Sequence, residues 1–141
     1  MARSAPGYRF LDHTADVGIA AEARTLAELF GRLADGLAAL LSDEHELKPD
    51  QVRAVRLQAE SPEDLLLAWL QELLYWFSTD RFLPLAYEIE VTPTAVAGRV
   101  RGTLFEPARH QPGREVKAIT RHHLQVARVR GVWHGQVIVD I

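Results

Sequence analysis

Phe10-Leu11-Asp12-His13-Thr14-Ala15-Asp16-Val17-Gly18-Ile19 places two acids, a histidine and a threonine side by side and then runs into an apolar strand pattern. Polar groups able to do chemistry therefore sit at the mouth of a buried strand. Tyr8 to Leu11 reads as one short strand and Asp16 to Ala23 as the next. The far end of the chain mirrors this, because Val137-Ile138-Val139-Asp140-Ile141 is another apolar strand carrying an acid at its end. An acid in an apolar strand is costly to bury unless it is paired, hydrogen-bonded or bound to a metal. Asp16, Asp140 and the α-carboxylate of Ile141 would repel one another unless a cation joined them, and hard cations such as Ca²⁺ or Mg²⁺ take oxygen ligands of this kind. The expectation is that the two places meet in space and hold a metal ion. The competing reading is a frayed, solvated end, against which stands the apolar alternation that runs up to Asp140.

Between these ends the pattern alternates helix and strand signals. Thr25 is placed to cap a helix, with Glu28 as its capping-box partner. Leu26, Leu29, Phe30, Leu33, Leu37, Leu40 and Leu41 then form one apolar stripe that fades near Ser42. Gln51 to Ala59 reads as a half-buried strand of imperfect register, with Val52, Ala54 and Leu57 as its apolar set. Ser61-Pro62-Glu63-Asp64 is a second helix start: a capping serine, proline in the first turn, then acids at the positive end of the dipole. That helix carries Leu66, Trp69, Leu70, Leu73 and Phe77 on one face, widened by Leu65, Tyr75 and Trp76, and belongs at the centre of the fold. After Pro84, Tyr87, Ile89 and Val91 alternate with Glu88, Glu90 and Thr92. Pro93-Thr94 turns the chain, and Ala95 to Leu104 returns as a partner strand in which Gly98 and Gly102 suggest close backbone approach or bulges. Glu106 to Arg114 is a loop. Val116 to Thr120 and His123 to Arg130 read as two strands, Gly131 turns the chain, and Val132 to Ile141 closes it. The predicted class is α+β: a mostly antiparallel sheet with two main helices packed on one face.

Length and composition bound the rest. A chain of 141 residues suits one domain, 1–141, with one core. Its 48% apolar and 25% charged content is that of a globular protein. The absence of cysteine excludes disulfides, thiolate metal sites and a cysteine nucleophile. Residues 1–7 hold no apolar run, so no secretory signal is expected, and no segment is apolar enough to span a membrane. The expected location is cytoplasmic. The formal net charge of -3 argues against holding nucleic acid by bulk electrostatics, so any RNA is reached through a partner.

Two constellations carry candidate chemistry. In an extended chain Asp12, Thr14 and Asp16 share one side and His13 takes the other; the bland alternative is that Asp12 and Thr14 make turn hydrogen bonds and His13 is a packed ring. Lys117, Arg121, His122 and His123 form a small basic cluster that is equally readable as a solvated strand edge. A zinc site from His122, His123, His13 and Asp16 is disfavoured, because adjacent strand histidines point to opposite faces and zinc needs three or four convergent ligands. There is no phosphate-binding glycine loop, nucleophile elbow or helix-borne histidine pair.

Four ordered blocks carry a resemblance to a known family. Tyr8 to Ile19 resembles the N-terminal signature of the archease family. Thr25-Leu26-Ala27-Glu28-Leu29-Phe30 is similar to its first-helix start, Asp64 to Tyr75 to its central helix, and Val116-Lys117-Ala118-Ile119-Thr120-Arg121-His122 with Asp140-Ile141 to its C-terminal half. The resemblance implies a protein cofactor rather than a stand-alone enzyme. Archeases assist the RtcB-type ligase, which joins RNA ends bearing a 3′-phosphate or 2′,3′-cyclic phosphate to a 5′-hydroxyl in tRNA splicing, and they promote its guanylylation and multiple turnover. It further implies a metal site, with calcium foremost and magnesium or manganese as alternatives, at Asp16, Asp140 and Ile141. Asp12, His13, Lys117 and His122 are candidates for support or partner contact. Arg121 stands where many members have tyrosine, and the histidine after it is doubled. Two other classes stay open: a metal-dependent phosphoester hydrolase using the same carboxylates, and a general chaperone or adaptor with an apolar surface around Leu83, Leu85 and Phe105.

Overall fold

Both helices begin where their caps stand. The Thr25 hydroxyl accepts from the Glu28 N–H at 3.1 Å and opens α1 (Leu26–Leu41). The Ser61 hydroxyl accepts from the Asp64 N–H at 3.1 Å and opens α2 (Pro62–Asp80). Each such cap satisfies an amide that the first helical turn leaves without a partner, worth about 1 kcal/mol. The computed structural model describes residues 6–12 and 16–141.

Seven strands complete the described chain: β1 (Arg9–Asp12), β2 (Asp16–Ala23), β3 (Gln51–Gln58), β4 (Phe82–Thr92), β5 (Ala95–Leu104), β6 (Ala118–Val129) and β7 (Val132–Asp140). They divide into two sheets, ordered β1-β2-β7-β6 and β3-β5-β4, with antiparallel pairing throughout the described residues. The α+β class with two helices is therefore as expected, with the strands shared between two sheets. Each helix meets both of them: α1 packs on β2, β7 and β4, and α2 on β6, β4, β3 and β5. The leucine stripe of α1 is buried along its length, and Trp69 of α2 is fully enclosed, its indole N–H donating to the Phe30 carbonyl at 3.0 Å. The glycines of β5 do mark close approach: a Cβ at Gly98 or Gly102 would collide with the carbonyl of Glu88 or Leu83 on β4. At the β6–β7 hairpin, Arg130 and Gly131 both take positive φ (52° and 79°), the conformation a two-residue turn between twisted strands demands.

Four expectations are corrected. In β3 the inward set is Arg53, Val55 and Leu57, while Val52 is 51% exposed and Ala54 also faces out. Arg53 lies inside because its guanidinium covers the rings of Phe82 (4.9 Å) and Trp76 (5.6 Å) and pairs with Asp80 at 2.9 Å. A long basic side chain can cover apolar surface as a hydrocarbon does, and that inverts the apparent alternation. Tyr75 adds nothing to the apolar face of α2, being 62% exposed. The stretches around Val116–Thr120 and His123–Arg130 are not two strands: β6 is continuous and its pairing with β7 slips between Thr120 and Gln125. Leu83 and Phe105 are buried and Leu85 is half-buried, so they form no exposed apolar surface.

Candidate metal centre

The register of β2 against β7 builds the site. Asp16 lies opposite Asp140, Val17 opposite Val139, and Ile19 opposite Val137. Opposed residues of an antiparallel pair share a face, and successive residues alternate. The buried valines point to the helices, so the two acids point to the other side, at the end of the ladder. The same outer face continues through Gly18 and Ile138. Leu11 of β1 packs there, since a Cβ on Gly18 would meet the Leu11 Cβ at 2.9 Å and the Ile138 Cδ1 at 3.2 Å. The acids therefore stand beside an apolar patch, and Asp16, Asp140 and Ile141 are each partly buried.

A third strand closes the row. Ala118 of β6 pairs with Asp140, and the Lys117 N–H donates to the Asp140 carbonyl at 2.8 Å. This brings the lysine backbone against the acid pair, while its side chain is exposed. The alanine places only a methyl group next to the acids.

This donor set suits a hard cation. Opposed residues in an antiparallel pair hold their Cβ atoms about 4.5–5.5 Å apart, and calcium–oxygen distances of about 2.3–2.6 Å fall within the reach of two aspartates so placed. Like charges directly opposite one another are destabilising in a sheet, and a bound cation reverses the sign of that interaction. Among the described residues no group of three or more His, Cys, Asp or Glu side chains is arranged to hold a metal, so the described side-chain donors here number two. Calcium takes six to eight oxygens. The remainder would come from the Ile141 carboxylate, backbone carbonyls, water or a partner.

Other expected residues are placed as follows. Asp12 pairs with Val17 in the β1–β2 register, which puts its backbone one residue from Asp16. His13 and Thr14 lie outside the described residues, and with His13 one member of the zinc set. His122 and His123 do not point to opposite faces: their ring centroids are 4.1 Å apart. The slip in β6 and a left-handed φ of 53° at His123 break the alternation on which that expectation rested.

Arg121 bonds Asp64 at the start of α2 at 2.5 Å, tying the irregular part of β6 to the helix N-terminus. The guanidinium holds the Asp64 carboxyl below the usual carboxylate range, first through the hydrogen bond and then through its charge. No sequence signal marks this contact, because the two residues lie far apart in the chain and sit in motifs read separately.

With this geometry in place, the sequence pattern of the archease protein family matches residues 8–141. The chain belongs to the archease family. It is 30% identical over 139 residues to the protein archease of Methanosarcina mazei, with 95% of each chain covered. Protein 1598 of Methanobacterium thermoautotrophicum, solved in solution, matches at a TM-score of 0.85 and 27% identity, over 97% of this chain and 100% of that one. The crystal structure of an archease from Thermotoga maritima, described as a possible chaperone, has a TM-score of 0.62, 20% identity and coverage of 100% and 98%, which is a likeness of fold. This archease-family chain has, among its described residues, no helix long and apolar enough to cross a membrane.

Proposed function

We propose that this chain is an accessory activator of an RtcB-type 3′-phosphate/5′-hydroxyl RNA ligase in tRNA splicing or RNA repair. It promotes guanylylation and multiple turnover of that ligase through a carboxylate metal site. The observation that carries the reading is the opposition of Asp16 and Asp140 at the end of the β2–β7 ladder in a chain of the archease family. Asp16, Asp140 and the Ile141 carboxylate would hold the ion, calcium foremost and magnesium or manganese as alternatives.

Among the described residues the site offers two side-chain carboxylates at the end of a ladder, fewer donors than calcium takes, and a partner that supplies further oxygens would share the ion. When bound, a divalent cation supplies neutralisation of phosphate charge during nucleotide transfer. The chain itself contributes the position of the acids, set by the valine and isoleucine pairs behind them, and a lysine backbone that pins Asp140. RNA is reached through the ligase, in keeping with the net charge of -3, and the proposed setting is the cytoplasm. A general client-binding role is less favoured, because Leu83 and Phe105 are buried.

The test is a guanylylation assay on an RtcB-type ligase with Mn²⁺ present, with and without this chain, and with Asp16→Ala alongside. Wild type should accelerate GMP transfer, and the variant should fold yet fail to accelerate it. If the variant works as well as wild type, the metal site is not the working part. If neither accelerates a ligase that is active alone, the activator reading falls.

A further inference from the structure

We propose that the cleft between the C-terminal end of α2 and the loop joining β5 to β6 binds a small organic anion with an apolar body, such as a medium-chain acyl or aryl carboxylate or phosphate. The cleft holds about 470 Å³, within the usual range of about 300–1,000 Å³ for sites that enclose small organic molecules. Its floor is apolar and rigid: the rings of Phe77 and Phe105 lie with centroids 5.7 Å apart, and both are buried. Leu74 forms one wall. At the rim stand Arg81 and Arg114, with Glu115 as the single acid, so the mouth carries net positive charge. Among the described residues neither arginine is engaged in an ion pair with an acid.

The backbone beneath both arginines is held before any ligand arrives. Arg81 ends α2 in the left-handed conformation (φ 61°, ψ 22°), a position that favours glycine. Its N–H donates to the Phe77 carbonyl, its carbonyl accepts from the Phe105 N–H at 2.7 Å, and its guanidinium lies 5.8 Å from the Phe77 ring centroid. The Arg114 N–H donates to the Leu40 carbonyl at 2.6 Å, and the neighbouring Gly113 N–H to Leu41 at 3.1 Å. Gly113 sits so close to Leu40 that a Cβ there would collide with its carbonyl. The loop is thus pinned to the end of α1, leaving the space beside α2 open. Walls fixed in this way lower the ordering cost of binding, and guanidinium groups are suited to carboxylate and phosphate oxygens.

A second cavity, of about 490 Å³, supplies an internal contrast, because its rim carries Asp35, Asp43, Glu44 and Glu46 and no lysine or arginine. An apolar anion should choose the first cleft and reject the second. This inference does not depend on the activator reading.

The experiment is an amide ¹H–¹⁵N correlation titration of the full chain with octanoate, octylammonium and inorganic phosphate in turn. Octanoate should move the amides of Phe77, Arg81, Gly113 and Val116 saturably. Phosphate alone should bind more weakly, and octylammonium should leave those amides in place. The double variant Arg81→Gln with Arg114→Gln should weaken octanoate by about tenfold or more, the loss expected when charged hydrogen-bond partners are removed. Leu74→Glu, which keeps both arginines, should weaken it as well. Retention of the remaining spectrum reports that each variant is folded. The proposal is overturned if octanoate does not bind, perturbs the acidic cavity equally, is matched by phosphate or octylammonium, or binds the folded variants as it binds wild type.

Discussion

The outer face of β2 and β7 carries an ionisable pair at each end of the same ladder, and the two are built in opposite ways. At one end Glu22 faces His134 and is also reached by Arg9 from β1, at 3.8 Å and 2.5 Å respectively. At the other, roughly 20 Å away by strand rise, Asp16 faces Asp140. Acid meets base in the first pair and acid meets acid in the second. The strands between are joined by Val17–Val139 and Ile19–Val137, all four buried. Those apolar pairs set the register, because a slip by one residue would turn every one of them to solvent. A register secured by burial can impose an unfavourable polar pair at its end, and the cation proposed for this site would relieve it.

The largest effect expected from this contrast is metal-linked stability. A cation that binds only the folded chain, present at a hundredfold its Kd, should add about 2.7 kcal/mol to the unfolding free energy. Calcium titrated into chelator-treated protein and followed by thermal denaturation checks it, with Asp140→Asn as the variant that should lose the response. A wild-type chain indifferent to calcium, magnesium and manganese would break the contrast at its metal end.

A smaller effect separates the two ends without metal. With chelator present, Asp140→Asn should raise stability by about 0.2–1 kcal/mol, and Glu22→Gln should lower it by a similar amount, the range of cross-strand charge pairs. Urea midpoints of the two variants would read the opposite signs, and added salt should shrink both. The same sign for both would mean that cross-strand charge is not what distinguishes the two ends.

A third effect comes from an acid of another kind. Asp35 on α1 faces no carboxylate across a strand, and more than a third of its surface is open. The protein packed around it pushes its carboxyl up to about 6, against the lowering pull of the Tyr87 hydroxyl. An acid raised in this way takes up a proton on folding. Its contribution favours the fold below the unfolded value of about 4 and is lost as pH rises through about 6. Asp35→Asn should therefore gain on wild type between pH 4 and pH 7, measured by denaturant midpoints at both. No change across that window would leave charge opposition, rather than crowding, as the sole origin of acid destabilisation in this fold.

Much of this was legible because it is local. Thr25 and Ser61 announce their helices through contacts three residues away, and the leucine stripe of α1 follows from helical spacing alone. Asp16 and Asp140 stand out because each interrupts an apolar strand. What was misread depended on neighbours the sequence does not display. Val52 reads as inward until Trp76 and Phe82 claim Arg53. His122 and His123 read as opposed until the strand slips. Leu83 and Phe105 read as surface until the fold buries them, Phe105 against the Phe77 ring of α2.

By itself, then, the sequence determined the α+β class, the helix starts, most strand limits and the two acids worth watching, because caps, periodicity and the cost of an acid in an apolar run all act within a few residues. Only the tertiary structure decided that β2 and β7 are neighbours, that their register sets Asp16 against Asp140, and that Arg81 and Arg114 share the rim of one cleft. The β2–β7 pairing depends on which apolar faces pack together over more than a hundred residues of separation, the cleft on how a loop folds back over α2, and no local pattern encodes either choice.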